Sequence, residues 1–160
     1  MIRSFVTVAA SVAILTLCTS ALTQEKSPYG NASEAKAMLM KAVAAVKKDK
    51  SKAIDMFNMG EGGFRDRDLY VFCSQNADGK IVALGNPNAK KLIGSDARAL
   101  KDATGKMYGL ELVAAGQKPE GQITEVTYMF AKPGADPMPV PKVSFVTNAG
   151  DIGCGVGYYK

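Results

Sequence analysis

The side chains able to do chemistry in this chain of 160 residues are few, and it holds neither histidine nor tryptophan. Without imidazole there is no base for a serine or cysteine nucleophile, no common zinc ligand and no c-type haem attachment. Most hydrolase mechanisms go with it. A hydrolase or lyase would have to use Lys142 or a carboxylate such as Glu111 as general base. No nucleophile, base and orienting group can be assembled around either from motifs. Met38, Met40, Met56 and Met59 resemble a methionine-rich copper site, but methionine is ordinary packing material. The expectation is therefore a protein with no catalytic residues, no metal and no cofactor, whose chemistry is recognition.

The N-terminus supports a role outside the cytoplasm. Met1-Ile2-Arg3 carries one positive charge and leads into an apolar, small-residue run from Phe5 to Cys18, closed by Thr19-Ser20-Ala21. That order predicts a cleavable signal peptide cut after Ala21, with Thr23 as second choice. The run of about 14 residues is short of the roughly 20 that a membrane-crossing helix needs. Leu17 is too bulky for a lipoprotein site at Cys18. Residues 22–30 then read as a flexible lead and 31–160 as a single domain, periplasmic or secreted, with no membrane insertion after cleavage. Loss of Arg3 with the leader takes the 20 basic residues to 19 against 15 acidic, a net charge of +4. The lysines are spread along the chain, and the cluster Lys47-Lys48-Asp49-Lys50 with Lys52 reads as a solvated helix end, not a nucleic-acid patch. Cys73 and Cys154 survive cleavage, and an even count in an oxidising compartment favours their pairing over two buried thiols. Their spacing is nothing like Cys-x-x-Cys, and no histidine lowers a thiol pKa, so a redox role does not follow.

The elements that position these residues follow from local pattern. Asn31 stands three residues before Glu34, the spacing of a reciprocal cap, and predicts a helix start. Ala35, Met38, Leu39, Ala42, Val43 and Val46 recur at three and four, with Lys36, Lys41, Lys47 and Lys48 turned away. A second helical stretch, Ser51 to Asn58, runs into the breakers Gly60-Glu61-Gly62-Gly63. Beyond them the period switches to alternation. Leu69 to Ser74, the turn Asn76-Ala77-Asp78-Gly79 and Lys80 to Leu84 predict a β-hairpin. Gly85-Asn86-Pro87-Asn88 breaks the chain, and residues 92–112 are mixed, with a short helix from about Met107 to Ala115. Strands are expected at Ile123 to Phe130, Lys142 to Thr147 and Ile152 to Tyr159, with Pro133 to Pro141 as a loop.

The last strand carries a pattern of its own. Ile152, Cys154, Val156 and Tyr158 fall on one face, and Gly153, Gly155, Gly157 and Tyr159 on the other. Glycine weakens a strand, so its repetition on one face calls for close approach by something else. A helix packed tightly on that face would account for it, and so would a ligand pocket.

Several short motifs occur in a distinctive order. Phe64-Arg65-Asp66 leads into Leu69-Tyr70-Val71-Phe72, followed by Asp78-Gly79, Asn86-Pro87 and Leu92-Ile93-Gly94. Further on come Leu100-Lys101-Asp102, Gly105-Lys106, Tyr128, Pro141-Lys142-Val143-Ser144-Phe145 and Gly155-Val156-Gly157-Tyr158-Tyr159. In this order the chain resembles the single Cache domain family of extracytoplasmic sensor domains, from about Asn31 to Lys160. The resemblance implies an α+β fold with a long N-terminal helix on a five-stranded antiparallel, PAS-like sheet. A small-molecule pocket would lie between the sheet and its connecting segments. The family is similar in binding small organic acids, amino acids or related metabolites, usually in a chemoreceptor or kinase. This chain departs from it at Gly121-Gln122, where an aromatic often follows the glycine, and at Phe145, where tyrosine is common. No membrane helix follows the domain before Lys160, so occupancy is expected to pass to a separate membrane sensor protein.

The resemblance nominates site residues. Lys142 takes the family's Pro-Lys position at a strand start, where a cation at a pocket mouth holds a carboxylate by a charge-assisted hydrogen bond. A solvated lysine would suit the same position. Arg65, beside Phe64, offers a planar fork to a carboxylate or pairs with Asp66 or Asp68. Tyr70 and Tyr128 join an apolar ring to a hydroxyl, as a pocket or a core can use, and Tyr108 comes from the segment expected to cover the pocket. In the implied fold the first and last strands are neighbours, which makes a Cys73–Cys154 bridge feasible. Closing a loop of about 80 residues stabilises by about 4 to 5 kcal/mol in the chain-entropy model. The expected function is binding of a small-molecule ligand, a carboxylate in the first instance. The alternative is a ligand-free module that docks on a sensor kinase or chemoreceptor ectodomain.

Overall fold

Helix formation starts at Asn31. Its side chain accepts from the Glu34 N–H and the Glu34 carboxylate accepts from the Asn31 N–H, both at 3.0 Å. This is the reciprocal cap that the spacing predicts. The computed structural model describes residues 27–134 and 138–160, and the expected leader lies outside them. Helix α1 is Ala32–Lys48. Asp49 ends it in an extended conformation and caps α2, Lys50–Met59, by accepting from the Lys52 N–H at 3.0 Å. The lysine cluster therefore marks the joint between two helices, where Lys47 and Lys50 make exposed ion pairs with Glu120 and Asp151. Among the described residues no helix is long and apolar enough to cross a membrane.

The strands are β1 (Arg65–Asp66), β2 (Leu69–Gln75), β3 (Ile81–Leu84), β4 (Thr124–Ala131), β5 (Pro139–Asn148) and β6 (Ile152–Tyr159). All pairings are antiparallel. β6 lies between β2 and β5, β4 pairs with β5, and both β3 and the two-residue β1 pair with β2. The five-stranded antiparallel sheet is present, with β1 as a small addition. β5 starts earlier than expected, with Pro139 and Pro141 opposite Ala131 and Met129. The β6 ladder reaches only to Lys142, so the missing proline N–H groups interrupt nothing on that side.

Alternation along the strands gives the sheet two different faces. One packs on α1 and α2 through Leu39, Phe57, Leu69, Val71, Ile152 and Val156. Burying each such side chain contributes about 1.5–3 kcal/mol. Cys73 and Cys154 sit on this face directly opposite each other in the β2–β6 register, Cα atoms 4.1 Å apart, and form a disulfide. Phe145 is here too, stacked on Tyr158 with ring centroids 5.5 Å apart. This departure from the family pattern thus lies on the helix side. The opposite face is roofed by α3 (Tyr108–Gly116) and by 3-10 turns at Pro87–Leu92 and Ala97–Ala99. The helix accounts for one position of the glycine face, and the protein's own side chains account for another. At Gly153 the backbone of α3 comes down at Gly116, whereas Gly157 makes room for the side chains of Ser144 and Lys142.

Candidate ligand-binding site

Lys142 is central to the second face. Its strand neighbours are Tyr128 on β4 and Tyr159 on β6. Its side chain runs over Gly157, where a methyl group would stand 2.7 Å from the lysine Cε. The residue is only 1% exposed, which rules out the solvated lysine. Its ammonium lies 4.6 Å from the centroid of Tyr159, 4.7 Å from that of Tyr70 and 5.1 Å from that of Phe130. It donates to the Tyr70 hydroxyl at 3.5 Å, the long limit of such a bond. Among the described residues no carboxylate pairs with it. Cation–π contact contributes about 0.5–2 kcal/mol. Removing an ammonium from water costs several kcal/mol, so the site is short of a counter-charge.

Three tyrosines near it, Tyr108, Tyr128 and Tyr159, keep their protons. Tyr108 stacks on Tyr128 at 4.2 Å with ring planes 9° apart, and the Tyr128 and Ser144 hydroxyls hydrogen-bond at 2.9 Å. Burial pushes the Tyr128 hydroxyl well above its ordinary 10.0, with Tyr70 adding to the effect. Burial likewise pushes Tyr108 up to about 12 and raises Tyr159. These groups orient and hydrogen-bond, and they do not act as bases near neutrality.

Two spaces open against the rings that enclose Lys142, and the lysine itself lines neither of them. An inner chamber of about 70 Å³ is lined mainly by apolar residues, including Phe72, Leu100, Tyr108, Leu112 and Tyr128. It has room for a handful of waters or a short carbon chain. An outer basin of about 580 Å³ is bordered by Arg65, Arg67, Asp68, Lys132 and Tyr159. Tyr70, Ala89 and Phe130 line both and form the wall between them.

Of the residues singled out in the sequence, Lys142, Tyr70, Tyr128 and Tyr108 come together, while Arg65 lies exposed on the outer basin. The ion pairing considered for Arg65 belongs to Arg67, which donates to Asp66 at 2.9 Å and Glu34 at 2.7 Å. Its guanidinium also holds the Ser27 and Tyr29 carbonyls, both at 3.0 Å. Glu111 is exposed and paired with Lys106 at 3.0 Å, outside the lining of either space. Sequence reading missed Asp68, Phe130 and Ser144 as site residues. Phe130 and Ser144 stand two positions from Tyr128 and Lys142 on the same strands, where alternation was the available signal, whereas Asp68 lies in the turn before β2 and had none.

A family model, single Cache domain 2, matches residues 17–158. The chain belongs to this family. Among curated proteins none matches this Cache domain. Solved structures do. A methyl-accepting chemotaxis protein from Vibrio parahaemolyticus RIMD 2210633 is 24% identical with TM-score 0.61, over 79% of this chain and 86% of that one. The periplasmic sensor domain of a chemotaxis protein is 24% identical with TM-score 0.56, over 78% and 86% respectively. A Cache chemosensory domain described for its carboxylic acid recognition is 22% identical with TM-score 0.57, over 79% and 91%. These neighbours share the fold of this Cache domain, and they are sensor domains.

Proposed function

We propose that this Cache domain binds a small organic anion outside the cytoplasm and passes its occupancy to a separate membrane sensor protein. The observation that carries the reading is Lys142, a fully buried ammonium with no carboxylate partner among the described residues, enclosed by rings of which Tyr70 and Phe130 line both an apolar chamber and an open basin. A ligand carboxylate entering past Tyr70 and Phe130 supplies the missing charge by a charge-assisted hydrogen bond. Its carbon chain enters the inner chamber, whose size limits it to a few heavy atoms. The carboxylic acid recognition described for one structural neighbour agrees with this chemistry.

Binding to the native state alone raises thermal stability by mass action. A thermal-shift panel of acetate, propionate, pyruvate and lactate against the wild type and Lys142→Met tests the reading. The expected result is a concentration-dependent rise for at least one acid in the wild type and none in the variant. The docking-module reading draws on one specific observation: Lys142 is completely covered by Tyr70, Phe130 and Tyr159. A folded wild type that answers to no acid would favour it.

A further inference from the structure

Helix α1 buries one side through Ala35, Met38, Leu39, Ala42 and Val46, and its other side carries a pattern of its own. Ser33, Ala37, Met40 and Ala44 are exposed and follow one another at intervals of four, three and four, which keeps them on one line of the helix surface. Met40, half exposed, is the large apolar side chain in that line. Exposed lysines border it on both sides, Lys36 on one and Lys41 and Lys48 on the other. The only carboxylate of α1 is Glu34, which is engaged by Arg67 at 2.7 Å and by the Asn31 N–H. Lys36 and Lys48 meet no carboxylate among the described residues. Along the Lys41 border the face opens into a groove of about 410 Å³ between α1 and Leu69. Its two carboxylates, Glu34 and Asp66, are both held by Arg67.

The composition of this face selects its occupant. A second copy is opposed, because the same face turned on itself sets lysine against lysine along both borders. A helix that enters a lipid surface needs bulky apolar residues, and Ser33, Ala37 and Ala44 offer none. Small residues let a second helix come close. Lysines flanking such a seam are the complement of acidic residues at the flanking positions of a partner helix. The 17 residues of α1 span about 25 Å at 1.5 Å each, room for a partner of two to three heptads.

We propose that the outer face of α1 docks an acidic amphipathic helix of the membrane sensor protein, its seam packed on Ala37, Met40 and Ala44 and its carboxylates meeting Lys36, Lys41 and Lys48. This rests on the separate sensor of the preceding reading and is independent of which ligand fills the site. The probe is a synthetic helix of about three heptads, with leucine and alanine along its seam and glutamate at the flanking positions. One control scrambles its order, and a second replaces glutamate by lysine. Fluorescence anisotropy at low salt should show the acidic helix binding the wild type, with both controls weaker by at least about tenfold. Lys36→Glu with Lys48→Glu should weaken the acidic helix by a similar factor and admit the basic one. Neither lysine holds an ion pair, so this variant keeps the fold. Met40→Lys adds positive charge and should nonetheless weaken the acidic helix, which separates packing from charge attraction. Equal binding of the scrambled helix, or binding of none of the three, overturns the proposal. So does lysine-dependent binding to phosphatidylglycerol vesicles in place of the acidic helix, which would assign the face to a lipid surface. All variants should keep the wild-type thermal response to acids, because none of these positions lines the inner chamber or the outer basin. A failed helix with an intact acid response removes the docking face and leaves the anion reading standing, and silent acids with a bound helix do the reverse.

Discussion

Gly116 at the end of α3 and Gly153 in β6 meet backbone to backbone: a methyl on Gly116 would stand 2.7 Å from the Gly153 Cα. Neither backbone can yield as the tip of a flexible side chain would. Gly153→Ala should therefore lift α3 from the sheet and lower stability by about 1–3 kcal/mol or more, the cost of overpacking. At Gly157 the added methyl meets Ser144 Oγ at 2.6 Å and Lys142 Cε at 2.7 Å, both side-chain atoms. Gly157→Ala should be the milder change to stability, yet it displaces the lysine that we assign to the ligand. Urea unfolding of both variants alongside the acid panel checks this. Wild-type stability in Gly153→Ala would show that α3 does not depend on this contact.

The contrast between these glycines shows where sequence reading succeeds and where it stops. Alternation along β6 is local, so the glycine face and its Tyr159 were legible. So was the Asn31–Glu34 cap, which needs only a spacing of three. The burial of Lys142 was not legible from the residues alone, because a lysine at a strand start ordinarily reaches water. Only the register with Tyr128 and Tyr159, together with β2 beyond β6, encloses it in rings. Arg65 and Arg67 were indistinguishable as ion-pair partners for a similar reason. Arg67 takes a left-handed φ of 55°, and the turn there directs its guanidinium to Glu34 and Asp66. No spacing rule encodes that turn.

Lys142→Met should separate binding from stability. Methionine keeps much of the buried stem and removes an ammonium that lacks a counter-charge. Replacing buried charge by an apolar group of similar shape is often neutral or stabilising, here by about 1 kcal/mol. The ligand-free variant should therefore melt at or above the wild type while losing its response to acids. Lys142→Ala loses the stem as well and should be less stable than Lys142→Met. A large destabilisation in Lys142→Met would indicate that the cation–π contacts hold the fold together, and would weaken the case for a ligand site.

The disulfide gives a prediction independent of any ligand. Cys73 and Cys154 are 81 residues apart in sequence and adjacent in space. Constraining the unfolded chain over that separation stabilises by about 4 to 5 kcal/mol in the chain-entropy model. Urea unfolding with and without reductant should show a loss approaching that size, reproduced by the double substitution Cys73→Ala, Cys154→Ala. Unreduced protein should offer neither thiol to an alkylating agent after unfolding. Modification at both cysteines without reductant would contradict the bridge.

Acid should loosen the roof of the site through Asp102. Its Oδ2 accepts from the Met129 N–H at 2.9 Å, while its Oδ1 accepts from the Thr104 hydroxyl and from the N–H groups of Thr104 and Lys106. One carboxylate thus ties the turn before α3 to β4. The Met129 N–H, then the Thr104 hydroxyl, hold its pKa down from 3.8 to about 2. Folding lowers this pKa, so its stabilising contribution is complete above 3.8 and lost as pH falls through about 2. Asp102→Asn keeps an acceptor for Thr104 and Lys106 but presents an amide donor to the Met129 N–H, or the reverse if the amide turns over. The variant should be less stable than wild type near neutrality, and the gap should narrow as the medium is acidified through that window. Urea midpoints of the two proteins across the acid range measure it. A gap that stays constant with pH would remove Asp102 from the acid response and assign that response to other carboxylates.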